Sequence, residues 1–430
     1  MNALPVRREA LWRVDFRDRI GVSLWFVPTL FTIAAIALAN LTIWLDERIA
    51  APVAVRRFLV SDPATAASLS GTIAAATLAF VAVVFATTLV AIQLAASQYS
   101  PRAVRIFIRS RVTRVTLGLF LATFVFALVV VVSDRASVTS ARQFAPVVSV
   151  SCLLLLTLTT VFGFVVYLHG VVRLMRVQYL LETVALETRQ AIDANFPPSS
   201  AYLDVEAPSP DPTPTTIVYD GTPGVITATD LYQLVELCRA RQCWMELTVG
   251  IGEYLAHGTP IARVHWGDLP PEAIVRCFLV RGERTFSQDT AFGFRQIVDI
   301  AIRALSPAVN DPTTAIQAID RLSDLLAVVG RRPQPSGLRV DSEGTPRLQR
   351  RIRDFDGLIV LAVTEIIRYG ADAPQVVRRL RAFFDELEAT CPERMPAIAR
   401  QRAVLADAVT DALPTAFTAV AATADREGLG

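Results

Sequence analysis

Four long apolar runs, separated by short polar connections, fill the first 172 residues of the chain. They read Leu24–Leu45, Ser70–Ala96, Val115–Ser133 and Ala145–Val171, and none contains Asp, Glu, Arg or Lys. Each exceeds the roughly 18 residues that separate a membrane span from a buried core helix. Four transmembrane helices are therefore predicted, within a domain covering residues 21–172. Ala37-Leu38-Ala39 resembles a signal-peptidase site, but the apolar run continues through Ile43, Trp44 and Leu45, so an uncleaved span is expected. Asn40-Leu41-Thr42 matches a glycosylation acceptor only by composition, since it lies inside that run.

The second run has a face of its own. At 100° per residue, Ala75, Ala79, Ala82, Ala86, Gln93 and Ser97 fall on one narrow stripe, with Thr77, Phe80, Val84 and Thr88 roughly opposite. Small side chains in a row let two helix backbones approach closely. The same row could instead line a narrow, weakly polar pathway formed by several subunits. Both uses stay open at this point. No carboxylate or arginine lies within the runs, and His169, near the cytoplasmic end of the fourth, reads as an interfacial residue, which argues against a proton- or sodium-coupled carrier.

After the fourth run the pattern stays helical through residue 196. Leu174, Val177, Leu181, Val184, Thr188 and Ala191 recur at intervals of three and four, a short seam of the kind that joins subunits or packs within one chain. Residues 197–216, rich in proline and small polar residues, predict a linker. Residues 217–268 predict a small β unit: a strand at Gly224-Val225-Ile226, a helix over Asp230–Arg241, and a strand–turn–strand over Trp244–His265. In the last of these, Val249, Gly252, Glu253, Leu255, Gly258 and Ile261 have the spacing of the turn in barrel-sandwich-hybrid domains, which this segment resembles.

Residues 269–413 predict a helical domain, with a second linker over Gly330–Pro346 and a tail over 414–430. A helix over Asp289–Leu305 is halted at Ser306-Pro307, because the residue before proline resists the α region. Asn310-Asp311-Pro312 then supplies a cap and a first-turn proline for the next helix. Helices over Arg350–Tyr369 and Pro374–Ala412 follow. Asp354 and Asp356 do not share a helix face, so they make a poor acid–base pair. The expected fold class is thus an α-helical membrane domain followed by a cytoplasmic α+β region.

Charge sets the expected topology. Arg7, Arg8, Arg13, Arg17 and Arg19 precede the first run within a basic segment, residues 1–20. Arg102, Arg105, Arg109, Arg111 and Arg114 lie between the second and third, whereas the other two connections carry fewer. The positive-inside rule then places the N-terminus and the C-terminal half in the cytoplasm, with the spans in the inner membrane. Arg102, Arg105 and Arg109, starting after Ser100-Pro101, are spaced to meet anionic lipid headgroups from a surface helix.

Composition narrows the chemistry. The net charge of +2 gives no electrostatic support to nucleic-acid binding. All 42 basic residues are Arg, which excludes Schiff-base catalysis, a phosphate-binding lysine and biotin or lipoyl attachment. Cys238 and Cys243 lack CxxC spacing, and His257 and His265 have no third ligand in view, so neither a redox pair nor a metal or cofactor site is expected.

Three stretches carry a wider likeness: Val90–Arg109 (VAIQLAASQYSPRAVRIFIR), Glu187–Phe196 (ETRQAIDANF), and Glu283–Leu326 around ALSPAVNDPTTAIQAIDRL. With the order of spans, linker, β unit and helices, they resemble a family of predicted bacterial integral membrane proteins catalogued as domain of unknown function 2254. That resemblance implies four inner-membrane spans and a cytoplasmic domain, with no assigned reaction. The matching positions are Gln93, Ser97, Ser100, Pro101 and Arg102, then Ser306, Pro307, Asn310, Asp311 and Pro312.

Two functions are expected from this pattern. One is a homo-oligomeric passive pathway for ions or small solutes, controlled by the cytoplasmic domain. The other is a membrane-anchored scaffold or regulator whose helices bind a cytoplasmic partner. An enzyme is not expected, since no nucleophile–base pair, metal set or phosphate loop can be assembled from the residues present.

Overall fold

The computed structural model describes residues 2–5, 23, 25–48, 63–98, 110–139, 146–198, 203–286 and 288–426. The chain divides into a membrane unit, Asp18–Tyr179, and a second unit built from Met1–Arg17 and Leu180–Gly430.

Four helices form the membrane unit: α1 (Phe26–Arg48), α2 (Pro63–Gln98), α3 (Arg111–Thr139) and α4 (Val147–Leu174). All four are long and apolar enough to cross a membrane. The third is the central one, with 56% of its apolar window buried against 22–28% for the others. Gly118 makes room for α1: a Cβ there would sit 3.1 Å from the Phe31 ring. Phe126, Val130, Ala35, Ala39 and Leu153 fill the space beside it. Lipid tails are as apolar as these side chains, so packing and hydrogen bonds must hold the helices together. The hydroxyls of Thr123 and Thr160 meet at 2.7 Å between α3 and α4. Asp46, near the end of α1, caps α4 by accepting from the N–H groups of Val148 (2.7 Å) and Ser149 (2.8 Å) and from the Ser149 hydroxyl (2.6 Å). A carboxylate there also meets the positive end of the helix dipole.

The helix of span four does not run unbroken to residue 196. It ends at Leu174, and α5 (Val177–Asn195) starts after Met175 and Arg176. Arg176 N–H bonds back to Arg173 O and Tyr179 N–H to Arg176 O, tight three-residue closures that break the α pattern. No glycine or proline marks the place, so the periodicity ran through it.

The second unit is larger in β structure than the sequence pattern predicts. Its strands are β1 (Asn2–Pro5), β2 (Leu203–Asp204), β3 (Thr215–Val218), β4 (Gly224–Thr229), β5 (Trp244–Leu247), β6 (Tyr254–Leu255), β7 (Pro260–His265), β8 (Phe278–Arg281), β9 (Leu338–Val340) and β10 (Pro346–Gln349). Seven of them make one sheet in the order β2-β1-β9-β10-β5-β7-β3, and the other three pair as β6-β4-β8. Strand β1 runs antiparallel to β2 and parallel to β9, and β10 runs parallel to β5. The strands expected within 217–268 are present, and Gly252 (φ +86°) and Gly258 (φ +81°) supply the turns their spacing suggested.

Three boundaries change. The segment Gly330–Pro346, read as a linker, contributes β9 and the start of β10; residues 197–216 contain β2; and β8 interrupts the helical stretch after residue 269. These strands are two to four residues long, too short for alternation to show, and their partners lie far away in sequence. Arg339 and Arg347 are buried within them, which masks the apolar pattern. Arg347 donates from Nε to Asp341 at 2.8 Å and from Nη2 to Gln242 at 3.0 Å. Met245, Leu255, Ile261 and Leu348 form the core beneath, against α6 (Leu231–Ala240).

Helices α7 (Pro271–Val275), α8 (Thr290–Ala304), α9 (Pro312–Gly330), α10 (Phe355–Gly370), α11 (Pro374–Thr390), α12 (Met395–Ala412) and α13 (Thr415–Ala421) complete the unit. The seam on α5 is filled from within this chain. Leu181, Val184, Thr188 and Ala191 are buried, and a Cβ on Gly293 of α8 would lie 1.9 Å from the Thr188 hydroxyl. The seam therefore serves internal packing and presents no open face to a second copy.

Candidate functional site

On α2 the structure separates two faces. Ser70, Ala74, Thr77, Val84 and Ala91 are buried, spaced at three, four and seven so that they form the packing side. The candidate stripe lies opposite: Ala75, Ala79, Ala82, Ala86 and Gln93 all point outward from the membrane unit. The Ser97 side chain lies outside the described residues. By helix geometry the alanines form a shallow seam between a ridge of Leu78, Phe85 and Leu89 and a second ridge of Val83 and Val90, all exposed. Close helix contact inside the chain is thus made by the other face. The seam is left for lipid or for another chain.

The packing face holds polar groups that the span pattern did not reveal. Tyr167 of α4 is fully buried and donates its hydroxyl to Val84 O at 3.1 Å. The Thr87 and Thr88 hydroxyls lie 2.9 and 2.6 Å from the Tyr167 hydroxyl oxygen. A tyrosine in an apolar run needs such partners, and that need is the signal that could have found this node. Phe80, Phe120 and Phe164 surround it with stacked and edge-on contacts.

A groove of about 350 Å³ opens between α1, α2 and α3, reached from Trp25 and Thr32 on one side, Phe85 and Thr88 on another, and Thr113 to Leu121 on the third. Its lining is apolar despite the threonines. Thr29, Thr32 and Thr88 turn their hydroxyls back to the carbonyls of Trp25, Pro28 and Val84, at 2.8, 2.9 and 2.7 Å. The expected headgroup contacts Arg102, Arg105 and Arg109, with Ser100 and Pro101, lie outside the described residues.

In the second unit the Ser306–Pro312 corner is a capped turn. Asp311 accepts from Thr314 N–H at 3.1 Å and from the Thr314 hydroxyl at 2.6 Å, and its own N–H bonds to Ala304 O at 2.8 Å. Asn310 takes the left-handed conformation (φ +48°), which Asn tolerates better than most residues. Pro307, Ala308, Val309 and Asn310 are exposed, while Ser306 is half-buried with its hydroxyl on Arg303 O at 2.7 Å. The cap reading of Asp311 and Pro312 describes what these residues do here.

A buried polar hub lies at the end of α5. Asn195 donates to Gln288 O and to the Thr290 hydroxyl, both at 3.1 Å, and accepts from Arg350 at 2.9 Å. The Gln288 side chain accepts from Thr229 N–H at 3.0 Å, which extends the hub to β4. Beside it, burial raises the Asp289 carboxyl above the ordinary aspartate value, against the pull of Arg284 at 2.7 Å. This hub ties ETRQAIDANF to the start of α8, a link between two motifs that sequence spacing alone did not join.

Four of the five cysteines and His265 are buried, whereas His169 and His257 are exposed. The free Cys238 thiol, hydrogen-bonded to the Cys243 thiol and buried, is pushed up, and burial pushes Cys277 up to about 12. His265 is buried and accepts from Asp211 N–H at 3.0 Å through Nδ1. Among the described residues, no group of three or more His, Cys, Asp or Glu could hold a metal ion.

Comparison with known proteins agrees with this architecture. A family model described as a predicted membrane protein (DUF2254) matches residues 22–386. The chain is similar to an uncharacterized protein of Mycobacterium bovis and to one of Mycobacterium tuberculosis, each 29% identical over 340 residues, or 76% of this chain. It covers 64% of the length of those relatives. No solved structure matches it.

Proposed function

The chain belongs to the family of predicted membrane proteins described as DUF2254, and from that premise we propose that several copies assemble into a passive pathway for ions or small solutes. In this reading the spans lie in the inner membrane, and both the N-terminus and the C-terminal unit face the cytoplasm, where that unit controls the pathway. The arginine distribution supports the orientation.

The observation that carries the proposal is the outward alanine seam on α2. The outward surface of α4, by contrast, is bulky at Leu155, Leu158, Phe162 and Val165. A lipid-facing helix gains no contact from four alanines in a row, whereas a helix of a second copy does. Gln93 continues the seam with an exposed polar side chain, the group such an assembly would offer to a passing solute. The Asn195 hub fixes α5 within the second unit.

Ion flux from liposomes containing the purified chain tests this reading. Flux well above that of empty liposomes, altered by Gln93→Leu, is the expected outcome. In a Cys152→Ser background, a cysteine introduced by Ala86→Cys should react rapidly with a charged thiol reagent. A membrane-anchored scaffold is the second reading, favoured by the exposed corner at Pro307, Ala308 and Val309. Absence of flux for several ions and membrane tensions, together with protection of the Ala86→Cys thiol, would overturn the pathway in favour of the scaffold.

A further inference from the structure

We propose that Cys238 and Cys243 form a reversible oxidation site that closes into a disulfide when hydrogen peroxide reaches it, with Cys243 as the attacking sulfur and Cys238 as the resolving one.

The pairing follows from how α6 ends. Gln242 takes the left-handed conformation (φ +51°), and two backbone bonds close around it. Cys243 N–H donates to Cys238 O at 3.0 Å, and Gln242 N–H donates to Arg239 O at 3.2 Å. A helix end closed in this way brings the side chains at the two ends of the closure into contact. Those ends are Cys238 and Cys243, so a spacing foreign to CxxC motifs still joins two thiols. A side chain other than glycine resists the left-handed region, and here both ends of the Gln242 amide hold it there. Its Nε2 donates to Arg239 O at 3.1 Å, and its Oε1 accepts from Arg347 at 3.0 Å. The turn is fixed, and the thiol contact with it.

The two sulfurs are unequal. Cys238 is fully buried and donates its S–H to Cys243. That bond holds the Cys243 thiol below its ordinary value against the effect of burial, and the charges of Arg347 and Arg241 act in the same direction. The thiolate is the nucleophile in such chemistry. The cover over Cys243 is thin. Arg241, Gln242 and Gly267 are exposed, and a Cβ on Gly267 would stand 2.9 Å from the Cys243 Cβ. Cys277 and Cys391 instead donate to the carbonyls of Ala273 at 3.3 Å and Ala327 at 3.7 Å.

Two steps complete the reaction. The Cys243 thiolate attacks one peroxide oxygen, the O–O bond breaks, and the hydroxide that leaves takes up the proton Cys243 gave up on ionising. The Cys238 sulfur then attacks the sulfur of the resulting sulfenic acid, and its own proton leaves with the hydroxyl as water. Two thiols lose two electrons, one peroxide becomes two waters, and the sulfurs close to about 2.05 Å. The bond ties the end of α6 to β5, and exchange with an added dithiol reverses it.

The test uses the full chain in detergent, reduced and then exposed to hydrogen peroxide. Remaining thiols are alkylated before trypsin digestion and mass spectrometry without reduction. Trypsin cuts after Arg239 and Arg241, so the disulfide appears as two joined peptides. The Cys238–Cys243 link should exceed any link to Cys152, Cys277 or Cys391 several-fold and vanish with dithiothreitol. In Cys238→Ser, dimedone should trap a sulfenic acid at Cys243; in Cys243→Ser it should label Cys238 several-fold less. Absence of the joined peptides from the folded chain, or their appearance only after unfolding in guanidinium, would overturn the site. Dimedone labelling of Cys238 equal to that of Cys243 would overturn the assigned roles. The unsubstituted chain carries the first readout, so a variant that fails to fold leaves the test intact.

Discussion

Single residues in this protein act through closeness rather than reactivity. Gly293 is the sharpest case, since any Cβ there enters the Thr188 side chain. Gly293→Ala is expected to lower stability by about 1–3 kcal/mol, the usual range for overpacking, seen as a lower unfolding temperature of the full chain in detergent. Adding Thr188→Ala, which removes the hydroxyl and methyl in the way, should restore part of the loss. No restoration would mean that the two residues are not in contact. The sequence shows both residues and even the period that buries Thr188, but not which surface meets it. A seam of this kind serves a second copy or the chain's own α8 equally well, and only the fold chooses. Asp311 was readable as a cap because its partner is three residues away. Asn195 was not readable as a hub, because its partners lie more than ninety positions later.

At the scale of elements, legibility follows length. The four spans stand out because each exceeds the hydrophobic limit, and α8 through α11 because their apolar faces repeat over several turns. The β9–β10 hairpin does not, since three- and four-residue strands carry buried arginines. That hairpin is built on electrostatics and has a corresponding pH dependence. Burial raises the Asp341 carboxyl, but Arg347 and the N–H groups of Thr345 and Glu343 outweigh it, so it titrates below the ordinary aspartate value. A carboxyl depressed on folding stabilises the protein above its unfolded value, near about 3.9. The contribution is lost as pH falls through the folded value. Asp341→Asn should therefore cost about 1.5–3 kcal/mol near neutral pH and make the acid limb of the stability profile shallower. An unchanged acid limb would show that the pair does not contribute. The α2 seam is intermediate in legibility. Its periodicity is plain, yet in a membrane the outer face is as apolar as the inner one, so the pattern cannot tell which side is buried.

For the whole molecule, the first strand matters more than its four residues suggest. Because β1 precedes α1 and pairs with β9, the two flanks of the membrane unit share one sheet. They must therefore occupy the same side of the bilayer, as four crossings require. Deleting residues 2–5 should open the edge of β9 and raise amide exchange at Leu338, Arg339 and Val340, with α1 to α4 unchanged. Exchange unaltered at those amides would remove β1 from the sheet. The same pairing also sets an order of events during synthesis. Strand β1 is made first, whereas Val340, opposite Pro5, follows 335 residues later. At about 5–20 residues per second the strand waits roughly 20–70 s for its partner. All four spans are translated in that interval, so closing this sheet is a late step, possible only once the membrane helices have been made.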